Sequence, residues 1–176
     1  MLKDNFELMA KYNHWMNEKL FNASEKLSEE ELAKDVGAFF ESILGTLNHI
    51  YVADIIWLKR FAEHPEKLLS LEPLRAIATP ETLTSRPYSN IESLRQARFE
   101  LDAVIVKLCK ELTEPMLSSI LDYKNMKGND FQNEFSQLIQ HFFNHQTHHR
   151  GQISTMFNQF QIDVGATDLL VCIRES

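Results

Sequence analysis

Between Phe135 and Phe160, apolar residues return at steps of three and four: Phe135, Leu138, Phe142, then Ile153, Met156 and Phe160. That rhythm is what a helix with one buried stripe requires. The stripe passes through HFFNHQTHHRGQ, His141 to Gln152, which carries four of the seven histidines in the chain. On a wheel of about 100° per residue, His145, Phe142, Ile153 and Met156 all fall within about 40° of His149. Two imidazoles therefore stand one turn apart on the inward face, placed to reach a single metal ion. His141 and His148 fall about 80–100° from His149 on the same wheel, on the flank, and read as surface residues or outer supports of a site. His14 and His64 read as surface.

The rest of the chain supplies partners for that helix. Leu2, Phe6, Met9, Met16 and Leu20 predict a first long helix from Leu2 to about Lys26, with Asn13 as a hydrogen-bonded core amide. Ser28-Glu29-Glu30-Glu31 predicts a capping box and a short helical turn. A second long helix is expected from about Ala38 to His64, stopped by Pro65. Its stripe is Phe40, Ile43, Leu47, Ile50, Leu58 and Phe61, and His49 lies off it among Ser42, Gly45, Ala53 and Ile56. Small neighbours leave room for an ion and a ligand.

Pro65 to Ser89 holds four of the five prolines and reads as a long crossing connection, with Leu68, Leu69, Leu71 and Leu74 packing it down. Asn90 and Glu92 open a third helix that runs to Thr113 and offers no chemistry. A small strand-turn-strand excursion is expected around Ser119–Tyr123 and Asp130–Gln132, with Tyr123 as a half-buried hairpin residue. The fourth helix spans about Phe131 to Phe160, and Gly151 within it predicts close approach by another helix or a partner subunit. The tail around Leu169 docks on the bundle. These elements describe an all-α four-helix bundle forming a single domain over residues 1–176.

Charge and cysteines exclude several classes. A net charge of −7 with no basic stripe argues against nucleic-acid binding. No apolar run is long enough to span a bilayer, and the start lacks a signal peptide's apolar centre, so a cytoplasmic address is expected. Cys109 and Cys172 stand alone and form no CxxC pair.

His49 and the His145/His149 pair both lie near mid-helix, so in a bundle of matched helices they meet at one height. Three neutral imidazoles there make an open, facial three-nitrogen site. No Glu-x-x-His occurs, which excludes the usual carboxylate-bridged di-iron bundle, and Gln146 occupies the place of a zincin's general base. Asp54, about 140° from His49 on its helix, reads as a structural ion pair. Without a base, either a metal-bound hydroxide attacks, as in a hydrolase, or the nucleophile is a substrate thiol that the metal acidifies. A non-catalytic metal-binding dimer is the third reading.

NHQTHHRGQI, preceded by SILGTLNHI and followed by DVGATDLLVCIRE, resembles the DinB family of damage-inducible bacterial proteins, part of the wider DinB/YfiT-like group and unrelated to the polymerase of the same name. The resemblance spans nearly the whole chain. It implies a four-helix bundle with crossover connections, a homodimer in many members, and a divalent metal, zinc or nickel, held by His49, His145 and His149. It also implies a low-molecular-weight thiol as co-substrate for S-transfer or isomerisation of a small molecule.

Overall fold

In the computed structural model, which describes residues 1–175, four long helices carry the chain: α1 (Leu2–Ser24), α3 (Ile43–Phe61), α4 (Ile91–Glu111) and α6 (Phe135–Gln159). Short helices α2 (Glu29–Ala33), α5 (Glu114–Leu117) and α7 (Leu169–Arg174) join or close them, and a 3₁₀ segment covers Leu69–Ala76. Around the bundle α1 packs on both α4 and α6, and α3 on α6, while the 3₁₀ segment lies against α3 and α4. Successive long helices α1 and α3 therefore sit diagonally, as do α4 and α6, so each intervening connection has to cross the bundle end.

Most residues of the expected apolar stripes meet in one core, while Leu2 is 45% exposed and Met16 packs in a separate small cluster. Leu20, Ile55, Leu58, Phe61, Leu94, Ile105, Phe135, Ile153 and Phe157 are all buried in the main core. Leu68, Leu71 and Leu74 pin the long connection down, whereas Leu69 points outward at 70% exposure. The Ser28 capping box forms: its hydroxyl accepts from Glu31 N–H and the Glu31 carboxylate accepts from Ser28 N–H. At the tail, α7 buries Cys172 against Tyr12 and Met16, and the Tyr12 hydroxyl donates to the Thr167 carbonyl at 2.6 Å. No helix among the described residues is long and apolar enough to cross a membrane.

Several boundaries differ from expectation for local reasons. Helix α3 begins at Ile43, not Ala38, because residues 38–42 form a tight turn. Glu41 N–H donates to the Ala38 carbonyl and Ser42 N–H to the Phe40 carbonyl, with Glu41 at φ +68°. Ser42 then caps the helix by accepting from Gly45 N–H. At the other end α3 stops at Phe61, and His64 is buried, not exposed: its ring bonds Ser119 Oγ at 2.8 Å and accepts from Glu66 N–H.

Helix α6 begins at Phe135 because Asp130–Glu134 is taken by strand β2, antiparallel to β1 (Ile120–Lys124) in a register pairing Ile120 with Glu134 and Lys124 with Asp130. The turn between the strands is held by Asn125, whose side-chain oxygen accepts from Lys127 and Asn129 N–H, and by Gly128 at φ +83°. At Gly151 no other element of the chain approaches: among the described residues, nothing beyond the adjoining backbone of its own helix lies within 4 Å of a Cβ built there.

Candidate metal centre

His49 leaves the narrow face of α3 and meets His145 and His149 from α6. Its Nε2 lies 3.2 Å from Nε2 of each. The three candidate donor nitrogens fall within 4.8 Å of one another, and His49 and His149 are buried. Desolvation lowers all three pKa values. For His145, burial with the neighbouring rings of His149 and His49 takes it down to about 3. The imidazoles are therefore neutral at pH 7, the form that ligates metals.

Hydrogen bonding at the far side of two rings decides which nitrogen carries the proton. His49 Nδ1 lies 2.9 Å from the Leu83 carbonyl, an acceptor only, so Nδ1 donates and Nε2 is left with its lone pair. His149 Nδ1 lies 2.7 Å from Gln152 Oε1, whose amide nitrogen is in turn 3.2 Å from His148 Nε2, and the same tautomer follows. Two bare lone pairs facing each other at 3.2 Å repel unless a cation lies between them. Metal–nitrogen bonds of about 2.0–2.1 Å in tetrahedral geometry separate their donors by about 3.3 Å. The three residues could thus hold a divalent ion, and carboxylate- or carbonyl-oriented histidines are the usual outer arrangement of such sites.

The tight turn before α3 closes one side of the cluster. Phe40 stacks on His49 with ring centroids 3.7 Å apart and planes at 15°, and meets His149 edge-on at 5.6 Å. Gly45 makes this approach feasible, since a Cβ there would lie 2.2 Å from the Phe40 carbonyl oxygen. Asn48, beside His49, clamps the end of the long connection by donating to the Tyr88 carbonyl and accepting from Tyr88 N–H. That clamp anchors the connection five residues beyond Leu83, whose carbonyl meets His49 Nδ1. The connection, weighed from its prolines and leucines mainly as packing, therefore also supplies a hydrogen-bond acceptor to the site.

A second polar cluster lies alongside, and it corrects the expectation that the third helix is chemically silent. Arg98 of α4 donates to Asp54 at 2.6 Å and pairs with Asp102 at 2.9 Å, all three buried. Asp102 accepts from Asn13 and Asn17 of α1. Gln146 donates to Asp54 at 2.8 Å, and Arg150 donates to Asn13. Each of Gln146 and Arg150 directly follows one of the paired histidines, so these bonds fix the rotation of α6 at the height of the cluster. The expected roles of Asn13 and Asp54 hold. Burial pushes the Asp54 carboxyl up to about 6, while Arg98 and Gln146 act to hold it down. Burial would also raise Asp102, but Arg98, His14 and Asn17 outweigh it and hold its pKa below the usual value. His14, half exposed, is drawn into the same network.

On the open side of His145 a cavity of about 480 Å³ extends past Ala53, Trp57 and Arg60 of α3 and His141 of α6 to the Asn125–Asn129 turn. His141 and His148 are on the exposed flank of α6, as the wheel places them. Sequence periodicity had no means of finding Phe40, Leu83 or Gln152 as parts of the site, because two belong to irregular backbone and the third acts only through a bond to His149.

A family model described as DinB family matches residues 1–174. Protein DinB of Bacillus subtilis (strain 168) is 27% identical over 160 residues, covering 91% of this chain and 88% of that protein. No solved structure matches the chain.

Proposed function

The chain belongs to the DinB family, and from that premise we propose that it is a metal-dependent enzyme whose His49, His145 and His149 hold a zinc or nickel ion and whose co-substrate is a low-molecular-weight thiol. The observation that carries this reading is the pair of unprotonated Nε2 atoms held face to face by acceptors on the opposite ring nitrogens. A divalent cation held there supplies the positive charge that lowers the pKa of a ligating thiol. The reaction class is S-transfer or isomerisation of a small electrophile.

The chain's own residues do the remaining work. Phe40 covers one face of His49, and the cavity that would admit ligands opens beside His145. Leu83 and Gln152 hold the proton on Nδ1 of their histidines, so the metal-facing nitrogens stay bare. Among the described residues no carboxylate belongs to the cluster of donor groups, and Gln146, where a zincin-type hydrolase has its base, is turned to Asp54. This favours a nucleophile brought by the substrate over a protein-activated water.

The test is cobalt substitution followed by titration with reduced thiols such as cysteine and glutathione. Direct ligation should give a sulfur-to-cobalt charge-transfer band near the ultraviolet edge. Turnover of ester or amide panels without thiol, with no such band, would replace this reading by a metal-hydroxide hydrolase. Stoichiometric cobalt with neither thiol band nor turnover leads to a non-catalytic metal-binding protein. The reading includes a cytoplasmic homodimer. Sedimentation showing a monomer at micromolar concentration, or fractionation outside the cytoplasm, would remove that part.

A further inference from the structure

The cavity beside His145 has a cationic end. Arg60 and Lys127 line it, and no carboxylate does among the described residues, in a protein whose net charge is −7. Arg60 is the more informative of the two. Its guanidinium lies over the Trp57 ring, 4.5 Å from the centroid, and 5.4 Å from that of Tyr123 on β1. A cation–π contact engages the charge of the guanidinium and takes up none of its N–H donors as hydrogen bonds. Among the described residues none of these donors is engaged in a hydrogen bond or ion pair, although the side chain is half-buried and desolvation lowers its pKa.

A purely structural Arg60 would tie α3 to the hairpin through the two rings, and the cation–π contacts do serve that end. They do not account for an unpaired guanidinium in the lining of a cavity that reaches His145. A partly desolvated guanidinium with free donors is a site for a planar anion, which it binds with two parallel hydrogen bonds.

We propose that Arg60, assisted by Lys127 at the rim, binds a terminal carboxylate of the thiol or of its acceptor, and so sets the substrate class as an acidic small molecule with an apolar stem. The length of that stem follows from helix geometry. Arg60 stands eleven residues beyond His49 on α3, about 16 Å along the axis. Its side chain folds back over Trp57 toward the N-terminal end of the helix, as helical side chains do, and recovers about one turn, or 5 Å. The carboxylate then sits roughly 10 Å from the histidine cluster. Ala53, Ile56 and Trp57 give the stem an apolar wall.

This inference rests on the metal reading for the identity of the ligand's other end, but not for the anion subsite, and the two are tested separately. In metal-free, isotopically labelled protein, octanoate and octanamide are titrated while the Arg60 Nε–H resonance is followed by NMR. Octanoate should bind about tenfold more tightly and shift that resonance; a charge-assisted bidentate contact is worth at least that ratio. Arg60→Gln should bring the two ligands within about twofold, Arg60→Lys should retain part of the preference, and Lys127→Gln, on the exposed turn, should reduce it by about two- to threefold. Equal binding of octanoate and octanamide to the wild type, or a preference unchanged in the Arg60 and Lys127 variants, overturns the proposal.

In cobalt-loaded protein, 8-mercaptooctanoate should outbind 8-mercaptooctanol by the same factor, and 3-mercaptopropionate, too short to span, should show no such advantage over mercaptoethanol. If neither eight-carbon thiol ligates cobalt while the octanoate preference persists, the thiol reading falls and the anion subsite stands.

Discussion

Alanine at Gly45 and alanine at Gly151 are the same substitution in two long helices, and the structure predicts opposite signs. In an open helix position, glycine to alanine gains about 1 kcal/mol by restricting the unfolded chain and improving helix propensity. Gly151 has open space where a Cβ would sit, so Gly151→Ala should gain up to that amount. At Gly45 the added Cβ would lie 2.2 Å from the Phe40 carbonyl oxygen, well inside the 3.4 Å at which ordinary contact begins. The turn would have to retreat by more than about 1 Å. It is held by the bond from Ser42 N–H at 2.8 Å and by the stack of Phe40 on His49. Overpacking of this kind costs about 1–3 kcal/mol, enough to reverse the propensity gain. Net of the propensity gain, Gly45→Ala should therefore lose up to about 2 kcal/mol in urea melts of metal-free protein and weaken cobalt binding as Phe40 leaves His49. A Gly45→Ala protein as stable as the wild type, with Gly151→Ala no different, would refute both the tight turn and its role in closing the site.

Other outcomes follow from the two polar clusters. Arg98→Met leaves the Asp54 and Asp102 carboxylates buried without their shared cation, and should cost about 3–5 kcal/mol by urea unfolding; a loss under 1 kcal/mol would mean that water reaches the network. Gln152→Ala frees His149 Nδ1 and should weaken zinc affinity about 10–100-fold in chelator competition, whereas an unchanged affinity would remove Gln152 from the site. The hydrogen bond to Asp102 raises the His14 pKa in the folded state, so the protonated ring stabilises the fold below its unfolded value of about 6.5, and the gain is lost as pH rises through the higher folded value. NMR titration should place His14 above that unfolded value, and stability in His14→Gln should vary less across this window; a His14 titrating below it would reverse the sign.

What could be read from the chain before its structure depended on periodicity. His145 and His149 were legible because they interrupt an apolar stripe on one helix, and His49 because it sits among small residues on another. Phe40 falls on the helix stripe in the sequence because its spacing to Ile43 and Leu47 is helical. The left-handed Glu41 that breaks the helix there is a residue seldom found at positive φ, so no glycine marked the turn. Arg98 and Asp102 were passed over for the opposite reason: charges usually mark solvated faces, and here they follow Leu94 and Leu101 onto the buried side, where Asp54, Asn13 and Asn17 satisfy them. The burial of His64 has no local signal, since Ser119, which bonds it, lies 55 residues away in the chain.

Three histidines from two helices lie close enough to hold one divalent ion between them. Metal analysis of chelator-stripped protein reconstituted with zinc and desalted tests most directly whether they do. The wild type and His148→Ala should retain one zinc per chain, and His145→Ala none. Stoichiometric zinc retained in His145→Ala, or a wild type that keeps no metal, would contradict the account.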